Sequence, residues 1–407
     1  MEIYDIIHGN IVIEGLAQKI IDTEEFQRLR NIKQLGCCNF VFPGAVHTRF
    51  EHSVGVYHLA KKYIDILNKE KEYFTPREKE CISIAGLIHD IGHGPYSHLF
   101  DELFSEDKNH EYRSGELFKR MNEKYKLGFN SDEIQSMIHF IYPKNVSINP
   151  EEKYKYQIIS NNNGIDVDRF DYLMRDIKMT GLNYGIEYER IMNNTFIEDG
   201  ELIYSEKVKT SIEEFFRIRY IMHKEVYNHR TVRSIEYMMK EFITRLGYEI
   251  DLSQIIDENQ WDKFIQLTDS IINIFPHRWL LRPDREVMCP QPGTAEATAW
   301  GGGGRWARLQ MIIKNIKIRN IYKCIGELIT NYEPEIKEET TENVIIDIVR
   351  LSYYGKEKCP YIKERNAIDR TPGKTIKDEY VTSIYYKEDK YKAKAECLFN
   401  KLKEKLI

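Results

Sequence analysis

The chain has 407 residues, 42% of them hydrophobic and 30% charged, with a formal net charge of −5. That length is enough to bury a core in one large domain or two ordinary ones, and the charge excludes a polycationic coat for duplex nucleic acid while leaving room for a local basic pocket. No apolar run approaches the roughly 20 residues of a membrane helix, the start Met1-Glu2-Ile3-Tyr4-Asp5 lacks the basic and apolar regions of a secretory signal, and seven scattered cysteines without a CxxC pair argue against a disulfide framework or a cysteine zinc site; an intracellular protein, cytoplasmic or nuclear, is expected.

Helical spacing begins at Asp22 to Gln34, where Phe26, Leu29 and Ile32 form an apolar stripe. A second helix is predicted from about Glu51 to Asn68, with His52, Val56, Leu59, Tyr63 and Ile66 on one face. A third opens at Thr75-Pro76-Arg77-Glu78, a capping box with proline at the first helical position. It runs into His89-Asp90, where Gly92 and Gly94-Pro95 break it. Asp132 to Ile141 and Ile165 to Lys178 read as further helices, Phe196 to Ile203 as a hairpin turning on Asp199-Gly200, and Ser211 to Leu246 as one long helix. Later, 344–349 and 380–386 look like strands and 390–406 like a closing amphipathic helix. The expected architecture is mainly α: a helical body over 1–245, a helical connection over 246–308, and a smaller α+β lobe over 309–407. Within the connection, residues 276–308 contain no Lys, three of the four Trp (279, 300, 306) and the run Gly301 to Gly304. They read as a flexible lineage-specific loop or as a retained intron or frameshift, and no function is placed there.

Seven of the twelve histidines (47, 52, 58, 89, 93, 98, 110) fall between residues 47 and 110. His52 lies on an apolar stripe and points inward; taken alone it could be a satisfied core histidine. The pair His89-Asp90 ends an apolar helix, where an unpartnered carboxylate would be costly. A carboxylate from a distant helix would complete a set, and the run Asn163 to Tyr172 offers three, Asp166, Asp168 and Asp171; Asp168, Tyr172 and Asp176 recur at i, i+4 and i+8, with Arg169 beside them. The alternative there is a solvated acidic helix start. Two imidazoles and two carboxylates suit a divalent first-row metal that lowers the pKa of water and polarises a phosphoryl oxygen. His93, His98, Asp101 and His110 are at hand to move protons. A second stripe, Arg219, His223, Tyr227 and Arg230, offers donors for a polyphosphate and a sugar or base, unless it is an outer charged face.

Together the runs Phe26-Gln-Arg-Leu-Arg30-Asn-Ile-Lys-Gln34-Leu-Gly, Val41-Phe-Pro-Gly-Ala, Arg49-Phe-Glu-His52-Ser-Val-Gly, Gly86-Leu-Ile-His89-Asp90-Ile-Gly-His93-Gly-Pro-Tyr-Ser-His98 and Asn163-Gly-Ile-Asp-Val-Asp168 resemble the SAM-and-HD-domain deoxynucleoside triphosphate triphosphohydrolases, here with no SAM domain ahead of Met1. The resemblance covers residues 1 to about 245 and resumes at 316–327. It implies an HD-domain helical body with His52, His89, Asp90 and Asp168 as ligands to one divalent metal (Fe, Zn, Mn or Mg), and Mg accompanying the nucleotide. Water would attack the α-phosphorus of a dNTP, releasing deoxynucleoside and triphosphate. His93, Asp101 and His110 match the catalytic network and His98 a general acid. Arg49, Arg169, Tyr172, Asp176, Arg219, His223 and Tyr227 match positions that hold phosphates, 3′-hydroxyl or base, with Gln34 and Leu35 near the sugar. Arg169 stands where the animal enzyme has Lys. The resemblance also implies activation between subunits of a homo-oligomer, dimer or tetramer: Asp22, Gln27, Arg30, Arg319 and Lys323 match a GTP site, and Arg190, Lys207, His229 and Arg230 a dNTP activator site. Tyr4 and Ser205 replace family residues in those sites, and Cys37 and Cys38 replace glycines near the sugar. The other readings are a different HD phosphohydrolase (nucleotidase, phosphodiesterase or alarmone hydrolase), or a non-catalytic nucleotide sensor or single-strand nucleic-acid binder. No membrane partner is expected.

Overall fold

The computed structural model describes residues 1–143, 147–274, 303–336, 341, 343–352, 361–362, 368–369 and 378–406. The chain opens with a hairpin, β1 (Glu2–Asp5) and β2 (Gly9–Val12), which the sequence pattern did not announce. The helix expected over 22–34 is three pieces: α1 (Gly15–Ile21), α2 (Glu24–Gln27) and a 3-10 turn (Arg28–Asn31). Asp22 closes the first, and the Thr23 hydroxyl caps the second by accepting from Phe26 N. Side-chain competition for backbone donors thus breaks a run whose apolar spacing alone would continue.

The body is built on α3 (Arg49–Leu67), which packs against α4 (Pro76–Ile88) and α9 (Val167–Thr180). Thr48 N donates to Glu51 Oε1 at 2.6 Å to start α3, and the Thr75–Glu78 box starts α4 as expected. Between them in sequence and α9 lie α5 (His98–Asp101), α6 (His110–Lys124), α7 (Ser131–Ile141) and α8 (Lys153–Tyr156). Asp166 caps α9 through Arg169 N, and Gly181 ends it in the left-handed region at φ 76°. After α10 (Tyr188–Asn193) comes the predicted hairpin, β3 (Thr195–Glu198) and β4 (Glu201–Ser205), turning on Asp199 and Gly200, both at positive φ.

The long helix expected over 211–246 is not continuous. α11 (Lys209–Met222) passes into a π-helical turn, His223–Tyr227, and α12 (Arg230–Ile250) starts afresh behind the cap His229. Residues 276–302 of the anomalous stretch lie outside the described residues, and 303–308 open a helix, Gly303–Lys317, that packs on α12.

The C-terminal part forms an antiparallel sheet in the order β5 (Lys323–Thr330), β9 (Glu379–Tyr386), β6 (Val344–Leu351), backed by the closing helix Lys392–Leu406. Leu328, Val344, Ile384, Ala395 and Leu402 form its own small core, apart from the extended core of the helical body. The two parts interleave: β7 (Tyr361–Ile362), paired to β8 (Ile368–Asp369), adds in parallel to β4 of the body. Among the described residues no helix is long and apolar enough to cross a membrane.

Candidate metal centre and nucleotide cleft

Packing of α3, the end of α4 and the first turn of α9 brings three side chains to one point. His52 Nε2 lies 3.2 Å from His89 Nε2 and 3.1 Å from Asp168 Oδ1, and His89 Nε2 lies 3.5 Å from that oxygen. Asp90 stands beside them, 3.6 Å from His52 Nε2 and 3.4 Å from His89 Nε2, with its Oδ2 also paired to Arg49. The orientation of both imidazoles is set from behind. His89 Nδ1 is 2.7 Å from Gly86 O, and His52 Nδ1 is 2.7 Å from Asp171 Oδ2. Each Nδ1 therefore carries a proton, which leaves the two Nε2 atoms, facing one another beside a carboxylate, as the positions from which a cation would be held. Such an arrangement calls for a cation between them, and its N and O donors fit a divalent first-row metal.

The electrostatics agree. Burial alone would lower the His52 pKa, but hydrogen bonds to Asp168 and Asp171 and the charges of Asp171 and Asp90 raise it to about 10. His89 is raised against its burial by Asp90 and Asp168. Asp90 is held well below the carboxylate range, burial being outweighed by Arg49 and the neighbouring imidazoles. The site concentrates negative charge where a cation would sit.

A second group adjoins the first. Asp101 Oδ2 receives His110 Nδ1 at 2.6 Å, with His98 Nδ1 at 3.6 Å and His93 Nδ1 at 3.9 Å, while Arg113 pairs with Oδ1. His93 stacks on His110 at 3.8 Å between ring centroids. It is fully buried, both ring nitrogens lack a hydrogen-bond partner, and Nε2 sits 3.3 Å from Asp90 Oδ1. Burial and the charges of Arg49 and His110 push its pKa down, so it is neutral. His98 is the exposed member, its side chain 73% accessible. Gly92 ends no helix here, since α4 has already closed. Its lack of a side chain lets α6 approach, because a Cβ would lie 2.2 Å from His110 O.

Two neighbouring cavities with shared walls receive these groups. The inner one, about 180 Å³, is lined by His52, His89, Asp90, Asp168, Arg169 and His110 among others. The outer cleft, about 350 Å³, is lined by Leu35, Asp176, His223 and Tyr227, and at its far end by Glu102, Arg233 and Glu236. Gln34, Arg49, His98 and Tyr172 wall both. Asp168, Tyr172 and Asp176 thus share one helical face, as their spacing predicts. Asp176 is fixed by His47 Nε2 at 2.7 Å and Tyr227 Oη at 2.6 Å. Arg49 is anchored by Nε to Ser97 Oγ at 2.8 Å, in a loop where Tyr96 and Ser97 both take positive φ. Arg169 pairs with Asp166, and Arg219 donates to Ser352 O at 3.1 Å while its buried Nε has no partner. Burial and Arg219 depress the His223 pKa to about 3, leaving a neutral ring. Two members of the expected stripe do not line the cleft: Arg219 acts on His223 by its charge from outside the lining, and the π turn and the gap before α12 carry Arg230 to an exposed position.

The HD domain family model matches residues 49–176, which supply every member of both His–Asp groups. The deoxynucleoside triphosphate triphosphohydrolase SAMHD1 homolog of Dictyostelium discoideum is 33% identical over 409 residues, covering 94% of this chain and 74% of its own. The chain belongs to the SAMHD1-type family of HD-domain proteins. HD domain-containing protein L394 of Acanthamoeba polyphaga mimivirus is 39% identical over 406 residues (87% and 82% covered), and human SAMHD1 is 30% identical over 423 residues (88% and 63%).

The residues expected from the sequence at activator sites are bonded locally within the single chain. Gln27 Nε2 donates to Ile21 O, beside Asp22, and Arg30 Nε donates to Gln27 Oε1, both at 2.8 Å. Arg319 donates to Phe40 O at 2.9 Å, and Lys323 pairs with Asp389 at 2.7 Å. Arg190 donates to Lys207 O at 3.1 Å, whereas His229 and Arg230 lie at the start of α12. Sequence reasoning offered Asp171 only as a candidate ligand, whereas it stands behind His52 Nδ1, and it missed Arg175, Asp5 and His8, which complete that support. Asp171 was visible three residues after Asp168; nothing local marked His8.

Proposed function

We propose that this chain is a metal-dependent deoxynucleoside triphosphate triphosphohydrolase, cleaving a dNTP into deoxynucleoside and inorganic triphosphate. The observation that carries the reading is the shared wall of the two cavities, where Arg49, His98 and Tyr172 border both the cavity of the His–His–Asp cation site and a nucleoside-sized cleft. Relatives bearing that enzyme's name span most of this chain.

His52, His89 and Asp168, with Asp90, would hold one divalent ion, Fe, Zn, Mn or Mg, which when bound makes water a stronger nucleophile and polarises a phosphoryl oxygen. Arg49 and Arg169 draw the phosphates, accompanied by Mg, into the inner cavity by charge. Gln34, Leu35, Tyr172 and Asp176 seat the sugar, and the Asp176 carboxylate, fixed by His47 and Tyr227, accepts from the 3′-hydroxyl. His223 and Tyr227 line the approach of the base, and Arg219, whose charge acts on His223, would reach in for the remaining phosphates. A new oxygen–phosphorus bond forms at the α-phosphorus as the bond to the 5′-oxygen breaks. His98, exposed at that shared wall and backed by Asp101, donates the proton that the 5′-oxygen takes, and His93 and His110 hold the relay in place.

Activation by GTP and a dNTP, at Asp22, Gln27, Arg30, Arg319 and Lys323 and at Arg190, Lys207, His229 and Arg230, belongs to the same proposal, with a dimer or tetramer as the active form. The deciding experiment incubates the protein with dTTP and Mn or Mg, with and without GTP, and separates the products. Deoxythymidine and triphosphate in equal amounts are expected, faster with GTP. Monophosphate or pyrophosphate would instead favour another HD phosphohydrolase, binding without turnover a sensor, and equal rates would end the activation proposal. Asp168→Ala should abolish both metal binding and turnover.

A further inference from the structure

His8 lies in the turn of the β1–β2 hairpin, far in sequence from every ligand, yet its side chain is buried and its Nε2 lies 2.7 Å from Asp171 Oδ1. Asp171 is the carboxylate that takes the His52 Nδ1 proton on its other oxygen, also at 2.7 Å. Arg175 closes the set with two bonds of 2.9 Å, one to each oxygen. Four donors therefore saturate Asp171, two on each oxygen. Gly55 makes the approach possible, since a Cβ there would lie 1.9 Å from Asp171 Oδ1. The hairpin is held in register by the same network. Asp5 Oδ1 accepts from Ile7 N at 2.8 Å and His8 N at 2.9 Å, and Asp5 Oδ2 accepts from Arg175 at 2.7 Å. The remaining ring nitrogen of His8, Nδ1, is buried without a partner, so the ring is fixed by its one bond to Asp171 and by packing against His58 and Tyr188.

We infer that His8 is a positioning residue of the metal centre: its Nε2–H bond locks the Asp171 carboxylate, which in turn holds His52 with its Nε2 toward the cation site. Carboxylates behind a ligating histidine set its tautomer and angle, and losing such a partner costs roughly 10–100-fold in metal affinity. His8 stands one bond further out, so about tenfold is expected at the lower edge of that range. The amino-terminal hairpin is then part of the metal site as well as of the fold. The inference rests on the metal reading of His52, His89 and Asp168, and it is tested on metal binding so that it stands apart from dNTP turnover.

The test compares full-length wild type, His8→Phe, which keeps the ring's bulk without a donor, and His8→Gln, which restores an N–H at similar reach. Each is stripped with chelator, checked by circular dichroism and thermal melting, and titrated with Co²⁺, following the visible ligand-field spectrum, and with Mn²⁺ by calorimetry. His8→Phe should bind about tenfold more weakly with an altered Co²⁺ spectrum, and His8→Gln should recover most of the affinity and the wild-type spectrum. Equal Kd values and spectra for wild type and His8→Phe overturn the inference, as does equal weakening in both variants. Should His8→Phe fail to fold, the His8→Gln spectrum decides: wild-type bands support the inference and shifted bands overturn it. If wild type binds no divalent ion, the metal reading falls and this inference with it; tight metal binding without dNTP cleavage would leave this inference standing and remove only the proposed substrate.

Discussion

In the metal-free protein His52 keeps its proton up to about pH 10, because Asp168, Asp171 and Asp90 outweigh the burial that would release it. A divalent ion has to displace that proton, so its apparent affinity rises with pH below about 10, by up to about tenfold per unit for each proton displaced. The same proton enters the stability of the fold. Its folded-state pKa lies above the ordinary value of 6.5, so its contribution is complete below about pH 6.5 and is lost as pH rises toward 10. Metal takes over the role as the proton leaves. The gain in Tm on adding saturating Mn²⁺ should therefore grow from pH 6.5 to 8.5; a gain that shrinks over that range would show that His52 does not ligate. Gly55 makes a second prediction at this scale. Alanine there would push against Asp171 and Arg175, whose Nη2 would lie 2.7 Å from the new Cβ. Overpacking of this kind costs about 1–3 kcal/mol, read as a lower urea midpoint, and metal affinity should fall with it because Asp171 is displaced from His52. Loss of stability with full metal affinity would mean that the two groups relax independently.

Among the elements, those written in local chemistry were legible in the sequence: the Thr75–Glu78 box that starts α4, the Asp199-Gly200 turn between β3 and β4, and the α9 face carrying Asp168, Tyr172 and Asp176. What escaped depends on partners distant in sequence or on backbone geometry. A 3.6-residue period runs through Thr23, which instead turns to cap α2, and the β1–β2 hairpin is held by Asp5 and His8 bonding to residues of α9. The π turn at His223–Tyr227 is likewise invisible to periodicity, because one inserted residue changes the phase without changing the composition. That extra residue aims Tyr227 at Asp176, 2.6 Å away, and sets Arg230 outside the cleft. Deleting Glu225, which is exposed within the turn, should convert it to α geometry and rotate Tyr227 by roughly 100°. A hydrogen bond to a charged group is worth about 1.5–3 kcal/mol, so dNTP affinity should fall about tenfold or more while metal content stays at wild-type level. An unchanged KM would show that the π turn does not place the cleft residues.

At the scale of the whole molecule, the C-terminal sheet is braced against the helices that floor the cleft. Arg233 of α12 bonds Asp347 of β6 through Nε at 3.0 Å and Nη2 at 3.1 Å, and Nη1 holds Glu236 at 2.8 Å. Lys224 in the π turn pairs with Glu379 of β9 at 3.1 Å. Arg233 and Glu236 both line the far end of the outer cleft, so through Asp347 the sheet helps to set their position. Asp347 is buried, and removing one partner of a buried pair leaves the other charge uncompensated, at a cost of about 3–5 kcal/mol when water is fully excluded. Arg233 keeps Glu236 and some exposure, which places the expected cost for Asp347→Ala near about 3 kcal/mol. With Asp347 gone, Arg233 is free to swing toward Glu102, whose Oε1 already lies 4.0 Å from its Nη1. KM for dNTPs should rise several-fold with metal content unaltered, because the His52–His89–Asp168 site stands on α3, α4 and α9 rather than on α12. Asp347→Asn, which retains an acceptor, should lie between the two. Steady-state kinetics beside metal analysis read this directly: a destabilised Asp347→Ala with wild-type KM would confine the sheet to a scaffold, whereas a parallel loss of metal would show that strain travels from the sheet through α12 to the ligands.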